Sequence, residues 1–206
     1  MSVKVKICGI TNEPDAVAAI QAGVDALGFN FYEQSPRHVT VEQAAGIIRN
    51  LPPTVVRVGV FVNASEDQVF HAIAECGLKL LQFHGEETPE YCLQFGLMSM
   101  KAIRMRDTQS LEVLQQYKTD AWLLDTWSPD KLGGTGEKFN WDLAIQARNL
   151  GRLIFLAGGL TPENVGEAVR KVHPYAVDVS SGVETAPGKK DHARVKAFIQ
   201  AAKEAG

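Results

Sequence analysis

The stretch Val3-Lys4-Val5-Lys6-Ile7-Cys8, followed by Gly9-Ile10-Thr11-Asn12, predicts the fold of this chain. Its residues alternate, so the three aliphatic side chains point to one face of a strand and the lysines and the thiol to the other. Because strand–helix repeats follow, we expect helices to cover the aliphatic face and the lysines and thiol to point inward. Cys8 then ends the strand where closed parallel barrels carry out their chemistry.

Seven further apolar runs follow the first strand, and 206 residues divided among eight runs leave about 26 per unit, enough for a strand, a helix and two loops. The pattern predicts an α/β fold, a single-domain (β/α)₈ TIM barrel spanning residues 1–206. A doubly wound sheet is the alternative, but it usually has fewer strands, and no Gly-x-Gly-x-x-Gly follows the first strand. The seven runs are Ala26 to Phe31, Val55 to Val62, Leu78 to Phe83, Met98 to Arg104, Ala121 to Asp125, Leu153 to Ala157 and Ala176 to Val179.

Helix-start signals follow most of these strands. Capping boxes begin at Thr40 and Ser65, where a hydroxyl residue precedes a glutamine by three positions. Thr88-Pro89 and Thr161-Pro162 place proline at a first helical position. The sequence therefore predicts a helix after each of these four points.

Composition and charge exclude several classes of function. The net charge of -3 provides no basic field, so we expect no nucleic-acid partner. No apolar run approaches the roughly 20 residues of a membrane span and no signal peptide is evident, so we expect a cytoplasmic protein without membrane contact. The three cysteines have no metal-ligand spacing, and free thiols fit a reducing compartment. Cys76 and Cys92 lie on predicted helices and are interpreted as buried packing residues.

Cys8 and Asp125 are the candidate catalytic residues. Asp125 ends the sixth run and shares a face with Leu123, so its carboxyl is expected at the barrel mouth. A partly desolvated carboxyl can be held protonated near neutral pH and act as a general acid. Nearby cations would lower the pKa of Cys8 and make the thiol a base or nucleophile. The alternatives are a small buried cysteine and a structural ion pair of Asp125.

Three further side chains are candidate ligands of a substrate. Arg37 follows Ser35-Pro36, and its planar guanidinium suits bidentate capture of a carboxylate, although a loop arginine is usually a solvated charge. Gln82 and His84 share the inward face of the fourth strand and are expected to line the pocket. A structural histidine remains the alternative for His84.

The ends of the last two strands predict a phosphate site. The seventh strand ends before Gly158-Gly159, and the eighth ends before Ser180-Ser181-Gly182. Barrels often bind phosphate between these two loops through backbone N–H groups, and glycine and serine leave such groups accessible. Ordinary turn glycines are the alternative. We find no cluster of side chains with metal-ligand spacing and expect no metal.

Two predicted loops are longer than the others, Tyr32 to Val39 and Thr126 to Asn140. The second contains Gly133-Gly134-Thr135-Gly136, and we expect Gly134 to approach the substrate in a loop that acts as a lid. A tolerated surface insertion is the alternative.

Barrel closure makes strands one and eight neighbours, which predicts a buried ion pair. Asp178 faces inward on the eighth strand and should pair with Lys6 or Lys4. Arg57 on the third strand is the alternative partner if the face assignment is wrong by one residue.

Motifs along nearly the whole chain together resemble the phosphoribosylanthranilate isomerases of tryptophan biosynthesis. Each motif is weak alone, but their joint occurrence in this order is specific. They are Lys6-Ile7-Cys8-Gly9-Ile10-Thr11, Gly28-Phe29 with Ser35-Pro36-Arg37, Gln82-Phe83-His84-Gly85, Leu124-Asp125-Thr126, Gly133-Gly134-Thr135-Gly136, Ala157-Gly158-Gly159-Leu160 and Val177-Asp178-Val179-Ser180-Ser181-Gly182-Val183-Glu184.

The resemblance implies an Amadori rearrangement of phosphoribosylanthranilate, a small-molecule substrate, without a cofactor. It implies that Asp125 protonates the ring oxygen, that Cys8 removes the proton from the second sugar carbon, and that Arg37 holds the anthranilate carboxylate. The oligomeric state stays open between monomer and homodimer. A histidine-pathway isomerase, which typically pairs two aspartates, and a non-catalytic protein that binds phosphorylated metabolites are the competing hypotheses.

Overall fold

Eight parallel strands form a closed barrel in the order of the sequence. The computed structural model describes residues 2–126 and 141–206. All eight predicted strands are present, and none of their boundaries differs from the prediction by more than two residues. The strands are β1 (Lys4–Cys8), β2 (Ala26–Asn30), β3 (Val56–Phe61), β4 (Leu80–Phe83), β5 (Met98–Met105), β6 (Ala121–Thr126), β7 (Leu153–Ala157) and β8 (Ala176–Val179).

Seven α-helices lie in the described ranges, and both predicted capping boxes are formed, at Thr40 and Ser65. The helix predicted after Thr161-Pro162 begins later, at Val165. The helices are α1 (Glu13–Gln21), α2 (Val41–Ile48), α3 (Glu66–Cys76), α4 (Gln109–Gln116), α5 (Trp141–Arg148), α6 (Val165–Val172) and α7 (His192–Ala205). None of them is long and apolar enough to cross a membrane.

The helix predicted after Thr88-Pro89 is wrong, because the connection from β4 to β5 contains only a 3₁₀ turn, Tyr91–Leu93. Two features hold this segment in another shape. The Glu87 carboxylate accepts hydrogen bonds from the backbone N–H of Gly85 and from the buried Lys101 ammonium at 2.8 Å. Rings of the turn and of the residues after it pack on Phe83, so the connection is stabilised by burial rather than by helical hydrogen bonds.

Side chains of the barrel interior and those outside the barrel form two separate buried clusters. The outer cluster joins the helices to the outward faces of the strands, and it contains Val5 and Ile7, as the alternation of β1 predicts. The interior cluster is built from small and large apolar residues of β2 to β8 and contains no residue of β1. At that position β1 contributes the fully buried Lys6.

Lys6 pairs with Asp178 across the joint between the first and last strands, at 2.9 Å, which confirms the predicted ion pair. Lys4 was also expected in the interior, but this expectation is wrong. It is at the amino end of β1, where the barrel opens, and its half-exposed ammonium lies 2.9 Å from Asp25. Arg57, the alternative partner of Asp178, instead donates to the carbonyl of Gly77.

A small hairpin that the sequence did not predict follows β8. Its strands, β9 (Glu184–Ala186) and β10 (Lys189–Lys190), pair antiparallel and end directly before α7. The Thr11 hydroxyl donates to the carbonyl of Gly188, so the hairpin is fixed to the loop that follows β1.

Candidate active site

A cavity of about 260 Å³ opens at the carboxyl ends of the barrel strands. With one exception, the residues predicted to form the site line it together. Gly134 lies outside the described residues. The lining includes Cys8, Arg37, Gln82, His84, Asp125, Gly158, Gly159, Ser180, Ser181 and Gly182.

Cys8 ends β1 at the floor of this cavity and is partly buried. Burial raises the pKa of the thiol, and this effect exceeds the opposing influence of the Lys6 ammonium, so the expectation of a lowered pKa is wrong. Gly28 on the neighbouring strand makes room for the sulfur, because a Cβ there would lie 2.9 Å from the Cys8 Sγ and 3.2 Å from the Lys6 Nζ.

Asp125 lies near the end of β6, and its side chain is 28% exposed. Its Oδ2 lies 3.5 Å from the Nε2 of His84, whose Nδ1 is 2.9 Å from the Nε2 of Gln82. When the Gln82 amide donates to Nδ1, the neutral imidazole carries its proton on Nε2, on the side of Asp125. These three residues, at the ends of β4 and β6, therefore form one polar chain along the cavity wall.

Arg37 reaches the cavity from the loop after β2 and is held by Glu184. The Glu184 carboxylate accepts from Arg37 Nε at 2.9 Å and from Nη2 at 2.6 Å, a paired geometry that fixes the plane of the guanidinium. These hydrogen bonds hold the pKa of Arg37 above its ordinary value. Gly9 permits this approach, because a Cβ there would lie 2.6 Å from the Arg37 Cδ.

The loops after β7 and β8 form a further edge of the cavity. Gly158 and Gly159 have positive φ angles of 80° and 62°, a conformation that favours glycine. A Cβ on Gly182 would collide with the carbonyl of Leu160, so the two loops pack closely backbone to backbone. The cavity edge here therefore consists largely of main chain with small side chains.

Sequence reasoning missed three residues that shape the site: Gly28, Glu184 and Lys190. The Lys190 ammonium is fully buried and donates to the carbonyl of Cys8 at 2.6 Å and to Glu184 at 2.7 Å. Gly28 and Glu184 stand in motifs of the sequence, Gly28-Phe29 and Ser-Ser-Gly-Val-Glu, and these motifs were the detectable signal. Nothing local distinguishes Lys190 from the exposed Lys189 beside it.

The chain is a (β/α)₈-barrel protein, because its eight parallel strands close on themselves and alternate with helices. Its candidate site, with a thiol, a carboxyl and an arginine around one cavity, lies at the carboxyl ends of the strands, where this fold usually has its active site. Within that class, the chain belongs to the N-(5'-phosphoribosyl)anthranilate (PRA) isomerase family, whose model matches residues 5–201.

Known proteins support the family assignment along nearly the full chain. The N-(5'-phosphoribosyl)anthranilate isomerase of Pelobacter propionicus is 54% identical, over 98% of this chain and 96% of its own. The structure of phosphoribosyl anthranilate isomerase from Thermotoga maritima superimposes with a TM-score of 0.92 at 44% identity, covering 98% of this chain and 99% of that chain. A phosphoribosyl anthranilate isomerase in complex with reduced 1-(o-carboxyphenylamino)-1-deoxyribulose 5-phosphate has a TM-score of 0.90 at 42% identity, with the same coverage.

Proposed function

We propose that this protein isomerises N-(5'-phosphoribosyl)anthranilate to 1-(o-carboxyphenylamino)-1-deoxyribulose 5-phosphate in tryptophan biosynthesis. The observation that carries the proposal is the presence of Cys8 and Asp125 in one cavity of a chain that belongs to the isomerase family. The two residues stand on β1 and β6, which β7 and β8 separate on the shorter way around the barrel. A sugar lying across the cavity would therefore have one group on each side.

The two groups divide the proton transfers of the reaction. The carboxyl of Asp125 donates a proton to the ring oxygen, the bond from that oxygen to the first sugar carbon breaks, and the anthranilate nitrogen becomes a Schiff base. The Cys8 thiolate then removes the proton from the second carbon. The resulting enolamine tautomerises to the ketone, so the reaction needs one acid and one base and no net oxidation.

Arg37 and the glycine-rich edge are suited to the two anionic ends of this substrate. The guanidinium would hold the anthranilate carboxylate, and the main chain of Gly158, Gly159, Ser181 and Gly182 would hold the phosphate. Holding both ends fixes the sugar between acid and base, which lowers the entropic part of the barrier.

Gln82 is the candidate ligand for the sugar between these ends. Its side-chain Oε1 is buried and has no hydrogen-bond partner within residues 2–126 and 141–206. An unpaired buried acceptor is unfavourable, and a sugar hydroxyl that donates to it would remove that cost. His84, whose ring is hydrogen-bonded to the same amide and lies 3.5 Å from Asp125, would stand beside the sugar on the same wall of the cavity.

Turnover of freshly prepared phosphoribosylanthranilate tests the function directly, followed as loss of anthranilate-type fluorescence. We expect turnover without added metal or nucleotide. A protein that binds phosphorylated metabolites without catalysis would leave the fluorescence unchanged. A histidine-pathway isomerase would act instead on another phosphoribosyl amine, so each competitor gives a different result.

Arg37→Ala tests the assignment of the carboxylate. We expect a higher KM for phosphoribosylanthranilate and nearly unchanged binding of inorganic phosphate, with Arg37→Lys recovering only part of the loss because an ammonium lacks the planar fork. Equal weakening of the binding of both ligands would give Arg37 a general electrostatic role.

A cytoplasmic location forms part of the proposal, since it suits a biosynthetic enzyme with free thiols.

A further inference from the structure

The hairpin after β8 brings a buried charge back to the first strand. The backbone N–H of Lys190 donates to the buried Asp15 carboxylate at 2.8 Å, which anchors β10 to helix α1. Thr11 holds the hairpin turn from the loop after β1. These anchors hold the backbone at the lysine and two residues before it, so its side chain enters the molecule in a fixed direction.

The ammonium of Lys190 joins the ends of β1 and β8 to Glu184. It donates to the carbonyl of Cys8 at 2.6 Å and to Glu184 Oε1 at 2.7 Å, and the carbonyl of Ser180 lies at 3.4 Å. Its three donor positions therefore face three acceptors, and the side chain is 0% exposed. This buried ammonium therefore links the ends of β1 and β8, which line the cavity, to Glu184 and is not a surface charge.

Glu184 links this ammonium to Arg37. The carboxylate engages Nε and Nη2 of the guanidinium, while Nη1 makes no hydrogen bond with the part of the chain that the structure describes. Glu184 therefore fixes the orientation of Arg37 and leaves donor capacity for a ligand. Taken as a pair, however, Arg37 and Glu184 are neutral and would attract a carboxylate weakly.

Lys190 changes that charge balance. Two cations and one carboxylate leave a net charge of one positive unit in the cluster of Arg37, Glu184 and Lys190, and the adjacent pair of Lys6 and Asp178 contributes none. We propose that Lys190 is a positioning residue that lets Glu184 orient Arg37 without cancelling the positive charge that a carboxylate ligand requires. The inference deepens the proposed function and rests on the assignment of Arg37 to the substrate carboxylate.

Equilibrium binding of anthranilate and of inorganic phosphate to the full chain tests this inference. Lys190→Met keeps the length of the side chain and removes its charge, and Lys189→Met on the same strand is the exposed control. We expect Lys190→Met to weaken anthranilate binding by about tenfold or more, as removal of one charge from a buried cluster does, and to alter phosphate binding less than about threefold. We expect Lys189→Met to match the wild type for both ligands.

A double variant separates charge balance from simple loss of structure. Glu184→Gln with Lys190→Met removes one charge of each sign, so the excess charge of Arg37 returns. We expect it to bind anthranilate more tightly than Lys190→Met alone. If the single variant does not fold, retained anthranilate binding in the double variant supports the inference and lost binding overturns it.

The inference and the proposed function fail in distinguishable ways. Unchanged anthranilate binding in folded Lys190→Met overturns the inference even when the wild type turns over phosphoribosylanthranilate. Equal weakening of anthranilate and phosphate binding also overturns it, because that is the result of a general collapse of the site. Absence of turnover in the wild type overturns the function instead, whatever the binding experiments show.

Discussion

Lys4 and Lys6 are the same residue type, two positions apart on the same strand, each 2.9 Å from an aspartate, yet their surroundings differ completely. The Lys4 side chain is 50% exposed and its partner Asp25 also accepts from Lys203, so this end of the barrel is a solvated ion-pair network. The Lys6 side chain is 0% exposed and its partner Asp178 lines the candidate site. Depth along one strand, rather than residue type or pair distance, therefore decides what an ion pair contributes to the protein.

The largest expected difference between the two ends of β1 is in catalysis. Cys8→Ala and Asp125→Asn should each lower kcat by about 10²–10⁴-fold, the usual contribution of general acid or base catalysis, with a much smaller change in KM. Lys4→Met, at the other end of the strand, should leave kcat within about twofold, because no reacting group lies there. Near-wild-type kcat in Cys8→Ala, measured where chemistry limits the rate, would make Cys8 a packing residue and His84 the next candidate base.

The dependence of kcat/KM on pH is a second test of Cys8 as the base. Burial raises the pKa of Cys8, so the thiolate that a base requires is scarce at neutral pH and increases as the pH rises through the folded pKa. We therefore expect kcat/KM of the wild type to rise on the alkaline side. Cys8→Ser should lose this limb, because a hydroxyl does not titrate there. A rise that persists in Cys8→Ser would assign the titration to another group.

The next largest difference is in stability. Lys6→Met strands the Asp178 carboxylate in the interior and should lower the free energy of unfolding by about 3–5 kcal/mol. Lys4→Met removes a solvated pair and should cost about 0–1 kcal/mol. Denaturant unfolding of the two variants measures both. Lys6→Met combined with Asp178→Leu should recover much of the lost stability, since the uncompensated charge is gone. Equal losses of stability in Lys4→Met and Lys6→Met would contradict the difference between the two ends of β1.

The smallest expected effect is the pH dependence of the stability that the exposed pair of Lys4 and Asp25 contributes. Burial of Asp25 favours its neutral form, but hydrogen bonds from Lys4, the Val5 N–H and Lys203 outweigh burial and hold the pKa of Asp25 below its ordinary value. The carboxylate therefore adds stability above the unfolded pKa of about 3.9, and this contribution is lost as the pH falls through the folded pKa. The difference in unfolding free energy between wild type and Asp25→Asn should shrink on acidification. A difference that grows as the pH falls would reverse the sign of the shift.

Local patterns were sufficient to predict the barrel, because the strand repeat of two residues and the helical repeat of about 3.6 residues are both visible in neighbouring residues. The outward positions Val5 and Ile7 and the inward Lys6 follow from a repeat of two. The pairing of Lys6 with Asp178 needed only one further assumption, closure of eight strands. The candidate site followed as well, since a parallel barrel gathers the ends of its strands on one face.

Contacts between distant residues that follow no repeat were not predictable. Lys190 meets the carbonyl of Cys8 across 182 positions in the sequence, and its neighbour Lys189 has the same local context but is exposed. The helix expected after Thr88-Pro89 failed for the same reason, because Lys101 on the next strand holds Glu87 in another arrangement. In both cases tertiary contacts outweighed local preference.

The joint between β1 and β8 also has a consequence for synthesis on the ribosome. Lys6 and Asp178 are 172 positions apart, so at about 5–20 residues per second the first strand waits roughly 10–30 s for its neighbour. During that time one edge of β1 is unpaired, and unpaired edges recruit strands of other chains. Lysines on an edge strand oppose such pairing, so Lys4 and Lys6 should reduce the association of incomplete nascent chains with one another. Replacing both with threonine should increase aggregation of nascent chains stalled before β8 in a sedimentation assay; unchanged sedimentation would dismiss this protective role.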